Sequence, residues 1–273
     1  MQIELFKAHG LGNDYLVWAA GPPVTPERAQ QVCHRHTSVG GDGILEPFHT
    51  DRADHGIRIW NPDGSVAEKS GNGLRIASWW LHHERGAPAV HSVDTGFDVV
   101  TSCVEGDQVT VQMGHATFAP AHIPAHVVDG HVGLADGTRL AVVPVGTGNP
   151  HAVVFADTLD DAALDDLPWR AWGAELEVHG AFPNRTNVQF ARVLGPSDVE
   201  IRIWERGAGE TSASGSSSCG VAAAAVHTGR CLRGDITVHM PGGVLYVTVG
   251  EADALTLRGP VAPVARMTLL DPS

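Results

Sequence analysis

Cysteine and basic residues are scarce in this chain of 273 residues. No Cys-x-x-Cys pair occurs among its four cysteines, at positions 33, 103, 219 and 231. A disulfide-stapled secreted module is therefore a poor fit, and a reducing cytoplasm is the better expectation. Lysine and arginine total 18 against 31 acidic residues, without a basic block. A nucleic-acid partner is therefore not expected.

Long apolar runs are missing too. No stretch approaches the roughly 18 residues that indicate a membrane helix, and the first residues lack the basic start and apolar core of a secretion signal. The 16 histidines are scattered without the spacing of a zinc site. No glycine-rich phosphate fingerprint joins a strand to a helix. We therefore expect a cytoplasmic protein that uses no metal, no other cofactor and no membrane.

One segment of the chain occurs twice. The letters IRIW stand at Ile57–Trp60 and again at Ile201–Trp204, and a serine follows ten residues after each tryptophan. These serines, Ser70 and Ser214, are 144 positions apart, as are the two tryptophans. The repeat is too long for a solenoid unit. It predicts two half-molecules of similar fold.

Short β-branched runs bounded by glycine, proline, aspartate or asparagine dominate the chain and indicate strands. Helical spacing predicts helices over 73–85 and 216–228, with further candidates at 25–35 and 160–172. The expected fold is α/β (α+β). It has two pseudo-symmetric domains, each a mostly antiparallel, β-barrel-like sheet around a central helix, with the active site in the cleft between them.

Prolines at 120 and 124 punctuate the middle of the chain and suggest a domain boundary there. We predict an N-terminal half over 1–118 and a second half over 119–261. The last residues, 262–273, are expected to return to the first half.

Each repeated serine leads into a predicted helix. The first amides of a helix have no internal partner and carry partial positive charge, so they can hold a carboxylate. They can also stabilise negative charge as an α-proton leaves. Ser70 and Ser214 would be plain N-caps if each stood alone, but their pairing favours a site. Two groups facing one carbon can remove a proton on one side and return it on the other, which suits a racemase or epimerase.

Other polar residues fit an amino-acid ligand. Arg206 can bind a carboxylate with two hydrogen bonds and Glu205 can receive an ammonium group, although a strand-end ion pair is the alternative. His151 is a support or a proton relay, and a purely structural histidine fits equally. Asparagines at strand ends and turns supply donors and acceptors for a zwitterion, while each alone is commonly a turn residue. They are Asn13, Asn61, Asn72, Asn149 and Asn187.

Four segments together resemble the diaminopimelate epimerase family. They are His9–Tyr15, Asn61–Ser65 with Gly71–Arg75, Gly148–His151 and Glu205–Thr211, in the family's order. The resemblance implies cofactor-independent inversion at the α-carbon of LL-diaminopimelate, giving the meso isomer used for lysine and the cell wall, and it implies a homodimer. By position, the implied substrate-binding residues are Asn13, Asn61, Gly71, Asn72, Asn149, Asn187, Glu205, Arg206, Gly215 and Ser216.

The chain departs from this family at its two catalytic cysteines, whose positions hold Ser70 and Ser214. A thiol has a pKa of about 8.5 and becomes a usable base at a helix N-terminus. A serine hydroxyl needs an adjacent base. The candidate activators are Glu68, Lys69, His151 and Glu205.

Several explanations of the serines stay open. The pair can result from engineered cysteine-to-serine changes. It can also mark a natural relative that racemises another amino acid or dehydrates a β-hydroxy amino acid. A third possibility is a protein that binds an amino acid without turning it over.

Overall fold

The structure, a computed structural model, describes residues 2–119, 123, 125–127 and 129–270. The chain divides into two compact units, Met1–Gln112 with Arg258–Ser273, and Met113–Leu257. We call these the first and second units. Their limits lie a few residues from the predicted halves of 1–118 and 119–261. The predicted punctuation at 120 and 124 falls outside the described residues.

The elements up to residue 115 form most of the first unit. The last of these strands, Gln108–His115, extends three residues beyond the limit of the unit at Gln112. The strands are β1 Ile3–Gly10, β2 Asn13–Ala20, β3 Ile44–Phe48, β4 His55–Trp60, β5 Val66–Ala67, β6 Val90–Asp94, β7 Val99–Glu105 and β8 Gln108–His115. The helices are α1 Pro26–Cys33 and α2 Gly71–Arg85.

The remaining elements follow from residue 131. The strands are β9 His131–Gly133, β10 Arg139–Ala141, β11 Val143–Gly146, β12 Pro150–Phe155, β13 Asn187–Gly195, β14 Asp198–Glu205, β15 Gly209–Thr211, β16 Gly234–Met240, β17 Gly243–Val249, β18 Ala254–Pro260 and β19 Ala262–Leu269. The helices are α3 Trp169–Glu177 and α4 Gly215–His227. Strand β19 pairs antiparallel with β1, within the first unit.

The two units repeat one series of strand pairings. In the first unit β1 and β2 are antiparallel, β2 and β3 parallel, β3 and β4 antiparallel, β4 and β6 parallel, and β6 and β7 antiparallel. In the second unit β11, β12, β13, β14, β16 and β17 pair in the same sequence of directions. The predicted mixed α/β fold with two similar halves is therefore confirmed.

The buried helix of each unit explains its own composition. Helix α2 contacts β1, β2 and β7, and it buries Leu74, Ile76, Trp80 and Leu81. Helix α4 contacts β11, β12, β13, β16 and β17. Its run of alanines, 222–225, is fully or almost fully buried, because small side chains let a helix approach surrounding strands closely. Both predicted central helices are confirmed.

The predicted helix over 160–172 is wrong in position. Asp160 and Asp161 have φ of 55° and 49°, in the left-handed region, where a right-handed helix cannot run. Leu167, before Pro168, is extended with ψ of 147°, as expected for a residue that precedes proline. Helix α3 therefore begins only at Trp169. The candidate at 25–35 is confirmed as α1, which Thr25 caps by accepting a hydrogen bond from the Arg28 amide at 3.2 Å.

Candidate active site

The serine loop of the first unit ends at the N-terminus of α2. Ser70 is extended, with φ of −140° and ψ of 116°, and its Oγ accepts a hydrogen bond from the Gly73 amide at 3.1 Å. Gly71 and Asn72, both predicted ligand residues, form the first turn and are buried. The hydroxyl of Ser70 is therefore held at the positive end of the helix dipole.

The second unit builds the same local structure at α4. Ser214 has φ of −148° and ψ of 126°, close to the values of Ser70, and its Oγ lies 3.5 Å from the Ser217 amide. Gly215 and Ser216 form the first turn. Both repeated serines are thus N-caps, and an N-cap hydroxyl lies beside amides that can bind an anion.

A chain of hydrogen bonds orients two asparagines in the first unit. The buried guanidinium of Arg75 donates to Asn72 Oδ1 at 2.5 Å and to the Pro260 carbonyl at 3.4 Å. Asn72 Nδ2 donates to Asn13 Oδ1 at 2.9 Å, and Asn13 Nδ2 donates to Asp42 Oδ2 at 2.7 Å. Each carboxamide oxygen accepts a protein N–H, and each carboxamide nitrogen carries a second N–H beyond the one used. Both asparagines are therefore set to act as donors.

Charged groups anchor the outer end of this chain. Asp14 lies 2.8 Å from Lys7 Nζ and 2.6 Å from Arg35 Nη2, which also contacts Asp42 at 2.6 Å. Burial alone would raise the pKa of Asp14, but the two cations outweigh it and the pKa is lowered. Asp14 thus stays ionised, and Asp42 holds the strand end by accepting from Asn13 Nδ2 and the Asp14 amide.

In the second unit a buried histidine orients Asn149. His151 is fully buried, and its Nδ1 lies 3.0 Å from Gln189 Nε2. An amide N–H only donates, so Nδ1 accepts and the ring proton sits on Nε2, which donates to Asn149 Oδ1 at 2.8 Å. Thr147 Oγ1 donates to the same oxygen at 3.2 Å. The Asn149 carboxamide therefore presents its N–H groups, as Asn13 and Asn72 do.

Burial decides the charge of His151. It lowers the pKa to about 3, and the nearby Arg206 charge acts in the same direction. The ring is therefore a neutral imidazole near pH 7. Gln189 also donates to Ser217 Oγ at 3.0 Å, which ties the histidine to the first turn of α4.

The turn that carries Arg206 is fixed by two polar side chains. Asn187 Oδ1 accepts a hydrogen bond from the Arg206 amide at 3.0 Å, and Asn187 Nδ2 donates to the Pro150 carbonyl at 2.9 Å. Glu177 contacts Arg185 and accepts from the Gly207 amide at 2.6 Å. Burial would raise the pKa of Glu177, but its hydrogen bonds and the Arg185 charge lower it.

Arg206 itself is exposed. Its Nη1 donates to the Asn184 carbonyl at 3.2 Å, and it forms no ion pair within the part of the chain that the structure describes. Glu205 is half-buried at the end of β14, where its carbonyl accepts from the Ala208 amide at 3.2 Å. The guanidinium is thus available to a carboxylate ligand.

Two predicted residues contact side chains of the first unit. Asn61 Nδ2 donates to Ser65 Oγ at 2.9 Å inside its own turn. Lys69, a candidate activator of Ser70, pairs with Asp98 at 3.1 Å. Cys219 is fully buried in α4.

Sequence reasoning missed three residues that touch the predicted ones. They are Tyr15, whose hydroxyl lies 3.0 Å from Ser70 Oγ, Gln189 against His151, and Glu177 behind the Arg206 turn. Tyr15 lies in the His9–Tyr15 segment that resembles the family, so the sequence showed its position. The sequence did not show the contact of its hydroxyl with Ser70, because this contact joins residues 55 positions apart.

The residues that the structure describes contain no group of three or more side chains placed to hold a metal ion. Within the same residues no helix has the length and apolar content to cross a membrane.

The buried histidine should govern how stability depends on pH. The unfolded chain binds the His151 proton below pH 6.5, whereas the folded chain resists it down to about pH 3. Its stabilising contribution is therefore complete above pH 6.5 and is lost as the pH falls towards 3, by up to about 1.4 kcal/mol per pH unit. In urea unfolding at pH 7, 6 and 5, His151→Gln should make the free energy of unfolding depend less steeply on pH. His49→Gln, at a ring 92% exposed, should leave this pH dependence unchanged. Equal pH dependence in both variants would show that His151 is not its source.

Comparison with known proteins identifies relatives along nearly the whole chain. The family model described as diaminopimelate epimerase matches residues 5–119 and 143–263. "Diaminopimelate epimerase 2" of Nostoc sp. is 39% identical over 277 residues, covering 97% of this chain and 94% of the relative. The diaminopimelate epimerase of Desulfitobacterium hafniense is 35% identical over 285 residues, with 98% and 99% covered.

Solved structures share the fold at low sequence identity. A hydroxyproline epimerase from Agrobacterium vitis has a TM-score of 0.74 at 16% identity, covering 98% of this chain and 92% of its own. A phenazine biosynthesis protein of the PhzF family from Bacillus anthracis has a TM-score of 0.67 at 15% identity, with 99% of both chains covered. At such identity the likeness concerns the fold alone.

Proposed function

This chain belongs to the diaminopimelate epimerase family, and we propose that it acts as an amino-acid epimerase. The substrate proposed is LL-diaminopimelate, and the product is the meso isomer used for lysine and cell-wall synthesis. The proposed reaction needs no pyridoxal phosphate or other cofactor. We further propose that the enzyme works in the cytoplasm as a homodimer.

One observation carries this proposal: the same serine-capped helix start occurs in each unit. Ser70 and Ser214 have nearly equal backbone angles and cap buried helices. Each places a hydroxyl beside first-turn amides, an arrangement that stabilises negative charge on a nearby group.

The proposed chemistry is proton transfer at the α-carbon by one group from each repeat. One of Ser70 and Ser214 gives its own hydroxyl proton to an adjacent base and accepts the α-proton, and the other delivers its hydroxyl proton to the opposite face. The Cα–H bond breaks on one side and forms on the other, so the configuration inverts without net gain or loss of atoms. Helix amides stabilise the charge that develops on the carboxylate in between.

The polar residues around the serines fit a zwitterionic ligand. Asn13, Asn72 and Asn149 have carboxamides set as N–H donors, and Arg206 has an exposed guanidinium. These groups suit carboxylates, while Glu205 suits an ammonium group. Diaminopimelate carries two of each, so a set of several donors is chemically reasonable.

The serines favour one alternative of a different class, a protein that binds the amino acid and turns it over slowly or not at all. A hydroxyl is a far weaker acid than a thiol, so a serine pair is a poor substitute for two cysteines. The same observation allows a lyase in which a serine protonates a leaving β-hydroxyl.

Hydrogen exchange separates these functions. The chain is incubated with LL-diaminopimelate in deuterated water, and α-deuterium and the LL-to-meso ratio are followed by NMR. The epimerase proposal expects deuterium in the meso product. Binding by calorimetry without exchange would support the binding protein instead, and release of a keto acid from a β-hydroxy amino acid would support the lyase. A Ser70→Ala, Ser214→Ala variant should abolish exchange.

A further inference from the structure

The two units place a titratable side chain at one equivalent position. Tyr15 follows Asn13 by two residues in β2, and His151 follows Asn149 by two residues in β12. Each strand pairs in parallel with the next, with Leu16 opposite Ile44 in the first unit and Ala152 opposite Val188 in the second. Tyr15 is therefore the counterpart of His151.

These counterparts reach different groups. His151 contacts Asn149 and Gln189. Tyr15 reaches the repeated serine itself, since its hydroxyl lies 3.0 Å from Ser70 Oγ. The first unit thus has a phenol in hydrogen-bond contact with the serine that caps its helix.

The ring of Tyr15 is closely packed by its neighbours. Its residue is 6% exposed. A Cβ atom built on Gly43 would lie 2.6 Å from Tyr15 Cε1, so only glycine leaves room for the ring there. Ser70 Oγ is fixed in turn by the Gly73 amide at 3.1 Å. The phenol and the serine hydroxyl therefore keep one relative geometry.

We propose that Tyr15 is a positioning residue that relays a proton through Ser70, an inference that rests on the proposed epimerase function. When the first unit donates, the Ser70 O–H bond breaks and a Cα–H bond forms. In the same step the Tyr15 O–H bond breaks and its proton moves to Ser70 Oγ. The serine ends neutral, the negative charge rests on the phenolate, and no co-reactant is consumed. In the reverse direction the phenolate takes the proton back through Ser70.

The relay compensates for the weak acidity of the serine hydroxyl. Without it, proton donation leaves an alkoxide, a far stronger base than a thiolate. A phenol has an ordinary pKa of about 10, against about 8.5 for a thiol. Passing the charge to Tyr15 thus makes the pair a stronger acid than a serine alone and brings it nearer to the cysteine which the family places there.

The test measures Tyr15→Phe in two backgrounds. In Ser214→Cys, which retains Ser70, the variant should lower kcat for α-deuterium exchange about 100-fold and leave KM unchanged. In the Ser70→Cys, Ser214→Cys background a thiol needs no relay, so the same change should have little effect. Equal losses in both backgrounds would overturn the relay and leave Tyr15 a packing role. An inert double-cysteine protein would instead overturn the proposed function and the relay with it.

A second readout separates relay from packing. The chain has only two tyrosines, Tyr15 and Tyr246, so fluorotyrosine supplied to a Tyr246→Phe variant enters at position 15 alone. Fluorine makes the phenol more acidic while its shape changes little. The pH profile of exchange should then move to lower pH in Ser214→Cys. An unmoved profile would contradict the relay. The Tyr246→Phe change by itself is the matched control and should not alter exchange.

Discussion

The Ser70→Cys, Ser214→Cys double variant is expected to epimerise LL-diaminopimelate at least about 100-fold faster than the unmodified chain. Both serines cap helices whose first-turn amides favour an anion. A thiol at such a position loses its proton near neutral pH, whereas a hydroxyl does not. The rate is measured as meso product by NMR or chiral chromatography, starting from the pure LL isomer.

The two single variants are the matched controls. Inversion needs a working group on each face of the carbon, so Ser70→Cys, which keeps a serine at position 214, should produce far less than the pair. Ser214→Cys, which keeps the Ser70–Tyr15 contact, should come closer to the double variant. A double variant that is folded and binds the ligand, yet stays inert, would show that diaminopimelate is the wrong substrate. Circular dichroism and calorimetry establish those two conditions.

Removing the buried cation of the first unit should have the largest effect on stability. Arg75 is fully buried and donates to Asn72 Oδ1 and the Pro260 carbonyl. In Arg75→Met both acceptors lose this donor, which should lower the free energy of unfolding by about 3 kcal/mol. Urea titration followed by tryptophan fluorescence measures the loss. Arg139→Met, at an exposed position of β10, should change little.

A second change separates stability from binding at the same place. In Asn72→Asp a carboxylate oxygen still accepts from Arg75, so the fold should survive. The N–H donor is replaced by a negative charge, which should weaken diaminopimelate binding about tenfold to 100-fold. Titration calorimetry measures the affinity. Unchanged affinity would mean that Asn72 is only a helix residue.

The sequence alone was enough to predict the repeat. The IRIW segments and the serines ten residues beyond them predicted two similar halves, and the strand pairings follow one series in both units. Helices α2 and α4 were equally predictable. Their small first-turn residues and glycine stops act locally, within a few residues of the chain.

The start of helix α3 was predicted too early, although Pro168 marks it locally. The sequence over 160–172 has helical spacing, but two aspartates adopt left-handed angles and Pro168 delays the helix to Trp169. The turn before the helix is held by its own backbone, because the Ala156 carbonyl accepts from both the Leu159 and Asp161 amides.

The sequence by itself determined which polar residues gather at strand ends and which serines begin helices, because those features obey short-range rules. Only the tertiary structure decided their chemical state. Burial of His151 makes it neutral, and Arg75 turns Asn72 into a donor. Tyr15 meets Ser70 because strand β2 passes the N-terminus of α2. Such contacts join residues far apart in the chain, and the hydrogen bonds and desolvation that fix charge and orientation arise only once they are packed together.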